Sequence, residues 1–460
     1  MFKKFIGDRA FYRRVLMVAV PIIIQNGITN FVSLLDNIMV GQVGTAQMSG
    51  VSIVNNLLFV FNMCVFGATS GAGIFTAQFH GSQDHEGVRH TLRFKILICL
   101  TLAAAGIGIF LGWGKTLVLL YLQGEGDAQT ISASLGYSMG YLKIMLLGLL
   151  PFALSNAYSG TLRETGKSTV PMVAGICAVF VNLGLNYVLI FGHFGAPALG
   201  VNGAAIATVI SRYVELAVVA LWTHLNPGKN PFIKGVFRSL YIPGRLFKNI
   251  CIKGMPLLAN EFFWATGMAF LNQCYSTRGL DVVAAFTIAT TLSNLANVVF
   301  LAMGNAVGII MGQMLGAGTD AATVRDTNRK LIFVSVASCA IFGGLMAAVS
   351  GVFPLFYNTT ASVRGIATSL ICVSAAIMPF NAYTTASYFT LRSGGKTAIT
   401  FLFDSGFVWC VIVPLAICLR RFTSLPIIPL YALCQATDLL KCAVGYVMIR
   451  NGSWIQNLTQ

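Results

Sequence analysis

The sequence predicts an all-α polytopic membrane protein: twelve transmembrane helices in two six-helix lobes, related by a pseudo-two-fold axis along the membrane normal. Three observations predict it. Of the 460 residues 56% are hydrophobic and only 10% charged, with a mean hydropathy of +0.77, far from the composition of soluble domains. Twelve apolar stretches are long enough to span, because about 30 Å of hydrocarbon takes roughly 20 helical residues. The chain also repeats itself at about half its length.

The crossings are expected at 15–40, 48–79, 94–121, 131–161, 168–191, 199–223, 250–276, 283–314, 331–356, 363–391, 397–419 and 425–449. Several exceed a straight span, so tilted, kinked or projecting ends are expected. The loops between them sort a formal charge of +16. Lys3, Lys4, Arg9, Arg13 and Arg14 lead the chain, and basic residues then fill every second loop: Arg89/Arg93/Lys95, Arg163/Lys167, Lys229 to Lys253, Arg325/Arg329/Lys330 and Arg392/Lys396. The intervening loops are nearly uncharged or acidic, as at Glu125 and Asp127, with Arg420/Arg421 the exception. By the positive-inside rule both termini are cytoplasmic, in a multi-pass protein of the cell membrane. So distributed, the positive charge belongs to a membrane surface and not to nucleic acid.

The eleven cysteines, from Cys64 to Cys442, lie in or beside apolar segments with no CxxC spacing, and read as packing residues. The start, MFKKFIGDRAFYRR, has a basic n-region, but the apolar segment behind it is too long and lacks a small-residue cleavage site. It is expected to be a retained first helix.

Sliding the chain by 235 positions aligns Pro21 with Pro256, Asn37 with Asn272, Gly44 with Gly279, Asn62 with Asn297, Gly73 with Gly308, Gln78 with Gln313 and Gly81 with Gly316. These are largely residues that punctuate helices. LRETGK (Leu162 to Lys167) matches LRSGGK (Leu391 to Lys396) at a shift of 229. The halves are therefore a lobe at 1–224, a cytoplasmic basic linker at 225–249 and a lobe at 250–460. The linker mirrors the amino terminus, Phe237, Arg238 and Leu240 matching Phe2, Lys3 and Phe5, and both suit a position along the inner membrane surface. Six crossings per half give the halves one orientation and a cavity between them, as alternating access uses.

The pattern P-x14-D-x4-G-x2-G (Pro21, Asp36, Gly41, Gly44), the Q-x-x-G pairs, the repeated LR-x-x-GK and the fifth segment NLGLNYVLIFG together resemble the multidrug and toxic compound extrusion (MATE) family over the full length. The resemblance implies an antiporter that exports small organic, often cationic, compounds in exchange for sodium ions or protons. It is expected to work as a monomer within the lipid bilayer, with no cofactor beyond the coupling ion.

An ionisable group deep in a spanning helix costs several kcal/mol unless paired or wetted, and this chain has few: Asp36, Lys143, Arg212, Glu215, Glu261, Asp404 and Asp438. Gln25, Thr29, Ser33 and Asp36 fall on one stripe of the first helix, with Gln25 expected to face the substrate cavity. Asn182 and Asn186 share a face of the fifth segment, and Thr208 adds a hydroxyl from the sixth. One carboxylate with several neutral oxygens suits a monovalent cation such as Na+, or a proton. The alternative is that these groups merely join helices. The resemblance implies ion coupling at Asp36; some members have an acid where this chain has Asn186.

Glu261 shares a helical face with Trp264, Met268 and Asn272, and a carboxylate beside an indole suits a flat organic cation. In resembling members a glutamate on this helix binds drug or proton; a further acid that some carry on the tenth helix is missing, since residues 366–390 have none. Arg212/Glu215 and Asp438/Lys441 are each three apart and are expected to pair. Lys143 is a possible counter-charge in the half that holds Asp36. Asp404 has either a basic neighbour or a place on the inner vestibule. Stripes at Ser52, Asn55 and Asn62 and at Thr287, Thr290, Asn294 and Asn297 either line the cavity or join helices. Pro21 and Pro256 each free a carbonyl four residues earlier and are expected to supply gating bends.

Two other readings stand beside this one. A lipid-linked sugar or polysaccharide flippase shares the plan, but anionic lipid phosphates call for a cavity rich in Arg and Lys, and the intramembrane charges here are mainly acidic. An integral-membrane enzyme needs a clustered polar site, and His80, His85, His90, His193 and His224 offer no metal spacing. No GxxxxGKS/T loop is present, so ATP is not the energy source.

Overall fold

A computed structural model describes residues 5–122, 128–357 and 359–459. Glu125, Asp127, Phe2, Lys3 and Lys4 lie outside the described residues. The first half runs α1 (Arg9–Gly41), α2 (Thr45–Gly81), α3 (His85–Leu122), α4 (Ala128–Leu146), α5 (Leu149–Glu164), α6 (Thr169–Phe191) and α7 (Val201–Leu225). The second half runs α8 (Gly244–Ser276), α9 (Leu280–Gly316), α10 (Ala321–Val349), α11 (Ala361–Ser393), α12 (Thr397–Phe401), two π-helical turns (Leu402–Gly406 and Val408–Ile412), α13 (Val413–Phe422) and α14 (Ile427–Arg450).

Each predicted crossing has its helix. Among the described residues ten helices are long and apolar enough to cross a membrane, or eleven if α4 and α5 count as one bent span. The remaining crossing is α8, whose 33 residues include Arg245, Lys248, Lys253 and Glu261, which dilute its hydropathy. Two helices start well before the apolar run does, because caps and not hydropathy set their ends. Asp84 accepts from Gly87 N at 2.9 Å at the head of α3, and Asp320 from Thr323 N at 2.9 Å at the head of α10. The latter bonds hold the Asp320 carboxyl below the usual range.

The expected single crossing at 131–161 is broken: α4 and α5 meet at 46°. Pro151 has no N–H to offer the Leu147 carbonyl, Gly148 sits at the bend, and Arg212 Nη1 donates to the Gly148 carbonyl at 3.3 Å. Pro379 in α11, one residue off the register of the LR-x-x-GK repeat and with Ala376 three residues before it, leaves that helix unbroken. One proline is thus tolerated where the glycine and the guanidinium are missing.

The repeat is visible in the elements. Helices α1 and α8 both have 33 residues, and α2 and α9 both have 37. Gly44 and Gly279 lead into α2 and α9 at φ of +151° and +121°. The two LR-x-x-GK blocks are the same helix stop: Lys167 N bonds Leu162 O at 2.7 Å and Lys396 N bonds Leu391 O at 3.2 Å, around Gly166 and Gly395 at φ of +78° and +73°. This is the Schellman arrangement, in which a left-handed residue lets the chain turn back on its last carbonyls.

The helices pack into two compact units, residues 24–76 with 84–251, and residues 5–23 with 77–83 and 252–459. Along α1 the boundary follows Ile23, two residues past Pro21. On α8 it precedes Ile252, whose carbonyl Pro256 leaves without its helical donor. In the first unit the linker is fastened to α3: Arg93 donates to the carbonyls of Gly235 (2.9 Å), Val236 (2.8 Å) and Tyr241 (3.1 Å). Phe237, Arg238, Leu240 and Tyr241 stay exposed. Deeper in that unit a buried ion pair joins Lys95 to Glu164. In the second unit the chain after α14 folds back under it: Trp454 is fully buried, and the Gln78 amide donates to Ser393 O (2.8 Å) and Gln456 O (3.2 Å) and accepts from Leu458 N (2.7 Å). All eleven cysteines are free.

Candidate functional site

In the first unit, three helices bring four predicted residues together. Asp36, half-buried near the end of α1, accepts from Asn186 Nδ2 at 2.6 Å on Oδ1. Asn186 and Asn182 lie one turn apart on α6 and are 1% and 6% exposed. Asn186 Nδ2 also reaches Asn182 Oδ1 at 3.1 Å, and Asn182 Nδ2 reaches Thr208 Oγ1 on α7 at 3.3 Å.

The orientation of the Asn182 amide follows from its neighbours. With its nitrogen toward Thr208, Asn182 turns its oxygen on the carboxylate. Rotated about its last bond it satisfies both neighbours, its nitrogen donating to both Asp36 oxygens at 3.1 Å. Asn186 Oδ1 is buried with no hydrogen-bond partner. None of the ion pairs among the described residues includes Asp36, and Lys143, the predicted counter-charge, is exposed. The pocket thus gathers one carboxylate, two amides and a hydroxyl, with the Asn186 oxygen buried and left over. Oxygen ligands around one negative charge are what a hard monovalent cation takes, and a proton on Asp36 would neutralise the same charge. The residues present fit Na+. Among the described residues no group of three His, Cys, Asp or Glu could hold a metal.

Gln25, lower on α1, is buried and taken up by Arg163, whose Nη2 donates to Gln25 Oε1 at 2.8 Å. The hydroxyls of Thr29 and Ser33 bond back to carbonyls of their own helix at 2.9 and 3.0 Å.

In the second unit, Glu261 is half-buried on α8, with Trp264 and Met268 partly exposed at 39% and 36%. Phe262 and Phe263 are exposed beside them, and Trp409 Nε1 donates to Phe263 O at 2.8 Å. Arg392 and Asp404 are the charged groups that act on Glu261. Asn294 is exposed on α9, while the Thr287 and Thr290 hydroxyls each bond back to their own helix at 2.9 Å.

Two expected ion pairs do not form. Lys441 reaches past Asp438, three residues away, to Asp404 Oδ1 at 2.7 Å. The other oxygen of Asp404 accepts from Asn260 Nδ2 at 3.1 Å, and Asn260 Oδ1 accepts from Ser405 Oγ at 2.7 Å. Spacing on one helix favoured Asp438; the π-helical turn that carries Asp404 presents it to Lys441 from a neighbouring element instead. Arg212 likewise makes no ion pair with Glu215 within 4.0 Å, and lies against the Gly148 carbonyl and the Phe152 ring, 5.0 Å from its centroid. The sequence reading missed Asn260, whose only signal was its place beside Glu261.

The family model MatE matches residues 21–188 and 256–416, so its two segments begin at the paired prolines. The chain is similar to the probable multidrug resistance protein YoeA of Bacillus subtilis, 27% identical over 430 residues, covering 91% of this chain and 89% of that protein. It is also similar to the probable multidrug resistance protein NorM of Thermotoga maritima, 21% identical over 452 residues and covering 96% and 93%. Of solved structures, an outward-facing multidrug resistance MATE transporter of the MOP superfamily superposes with a TM-score of 0.85 at 18% identity, covering 98% of each chain. A MATE crystal structure in the bent conformation gives 0.85 at 18%, covering 98% and 97%. At that identity the likeness establishes the fold.

Proposed function

The chain belongs to the MATE family, and from that premise we propose that it is a secondary active antiporter, and not an enzyme, which exports organic, often cationic, compounds in exchange for Na+ or H+. Its relatives carry the names of multidrug resistance proteins. The observation that carries the coupling assignment is the gathering of Asn182, Asn186 and Thr208 about Asp36, a carboxylate with no Lys or Arg within 4.0 Å among the described residues. There Asp36 supplies the negative charge, the two amides and the hydroxyl supply neutral oxygens, and the cation or proton is the exchanged ion.

On this reading Glu261, Trp264 and Met268 form the surface for the organic cation, with Gln25 and Asn294 as further polar candidates. The halves at 1–224 and 250–460 are the working lobes, joined by the linker at 225–249, with both termini cytoplasmic. Pro21 and Pro256 are the bends, a role supported by the unit boundaries that fall beside them. The transporter acts as a monomer in the cell membrane without ATP or another cofactor.

The test is export of ethidium from proteoliposomes under an imposed sodium or proton gradient. Wild type should export on one of the two, which identifies the ion, and Asp36→Asn should not. Export that survives Asp36→Asn at the wild-type rate removes Asp36 from the coupling site.

A further inference from the structure

Each half of the chain carries a membrane-embedded aspartate that accepts from an asparagine amide, Asp36 from Asn186 at 2.6 Å and Asp404 from Asn260 at 3.1 Å. The two differ in where their cation comes from. Asp36 has no Lys or Arg within 4.0 Å among the described residues, and its neighbours are the neutral amides of Asn182 and Asn186. Asp404 has both oxygens satisfied by donors, and one donor is the ammonium of Lys441, whose side chain is only 11% exposed. The Asn260 oxygen is also occupied, by Ser405.

We infer that Lys441 is a tethered cation: it holds at Asp404 the place that a dissolved ion takes at Asp36, and so it sets how many ions the transporter exchanges per substrate. A buried carboxylate must be neutralised or protonated. When the neutralising charge is part of the chain it cannot leave, and the site contributes nothing to the ion count. Glu261 and Asp438 lie within electrostatic reach of Asp404, and Arg392 within reach of Glu261. Three carboxylates thus lie near two fixed cations, and Lys441 contacts Asp404 at 2.7 Å. It acts through Asp404 and is a positioning residue for the ion balance.

The inference takes its transport readout from the antiport reading above, so the experiment has two arms. In the first, wild type, Lys441→Gln, and Lys441→Gln with Asp404→Asn are reconstituted with the voltage clamped at zero. The ethidium ratio at which net flux reverses is read under a fixed gradient, of sodium and then of protons. Lys441→Gln keeps a side-chain N–H donor, one bond shorter, while removing the charge. With about a tenfold ion gradient, one extra coupled cation moves the reversal ratio about tenfold. That shift is expected for Lys441→Gln, in whichever gradient supplies the replacement, and the double variant should return to the wild-type ratio. Reversal of Lys441→Gln at the wild-type ratio overturns the inference, since a purely structural ion pair would not change a stoichiometry.

The second arm needs no transport. The melting temperature of each purified protein is compared in sodium and choline chloride, in mildly alkaline and mildly acidic buffer. Lys441→Gln should be stabilised by sodium or by acid beyond wild type, and the double variant should not. If wild type exports ethidium on neither gradient, the antiport reading fails, and this arm decides the role of Lys441: equal responses of Lys441→Gln and wild type overturn it.

Discussion

Gly316 at the end of α9 lies directly against the backbone of Gln78 on α2: a Cβ on the glycine would run into the Gln78 carbonyl oxygen. Gly81 stands in the same relation to Gln313. The two Q-x-x-G pairs found by sliding the chain on itself are thus each other's partners. Neither glycine has room for a side chain, and the neighbour is backbone, which cannot rotate away.

Gly316→Ala should therefore cost about 1–3 kcal/mol, as overpacking does. The thermal midpoint of the purified protein checks it. Gly344→Ala is the control, since nothing lies within 4 Å of its would-be Cβ, and it should be no less stable than wild type, gaining up to about 1 kcal/mol of helix propensity.

At the proposed coupling site, Asn186→Asp places a second carboxylate about 2.6 Å from Asp36. Two like charges at that distance need a cation or proton between them. The variant should bind the coupling ion more tightly, lowering the half-saturating concentration about tenfold or more, while the maximal export rate falls because release is slower. A half-saturating concentration equal to or above wild type would count against an ion at this site.

The unit boundary two residues after Pro21 leads to a third expectation. Pro21→Ala restores a backbone donor to the Met17 carbonyl and removes the ring clash, a change worth about 3 kcal/mol in a helix. The straightened helix should slow gradient-driven export severalfold without lowering the melting temperature. Export at the wild-type rate would separate the proline from gating.

For the linker, Arg93→Met removes the donor to three backbone carbonyls, each net hydrogen bond being worth about 1 kcal/mol or somewhat more for a charged donor. Trypsin added to the cytoplasmic side should then cut at Lys234 or Arg238 faster than in wild type. Unchanged cleavage from that side, or cleavage only from the other, would contradict the fastening or the orientation.

Much of the fold was legible because membrane helices announce themselves in composition, and repeat punctuation is carried by glycine and proline. The positions of α1, α2, α6, α7, α8 and α9 follow from apolar runs, and the LR-x-x-GK stops from their glycines. The heads of α3 and α10 were placed late, since hydropathy does not register a capping aspartate. At the site, Asp36, Asn182, Asn186 and Thr208 could be picked out because a carboxylate and paired amides are rare in such helices.

The sequence by itself determined the class, the repeat, the helical stripes and the residue types available for ion chemistry, because these depend on hydrophobic length and on spacing within one helix. Only the tertiary structure decided which charges meet. Lys441 chose Asp404 over the nearer Asp438, and Arg212 turned to the Gly148 carbonyl and broke the fourth crossing, because a buried charge is satisfied by whichever neighbouring element presents oxygen to it, and sequence spacing says nothing about neighbours on other helices.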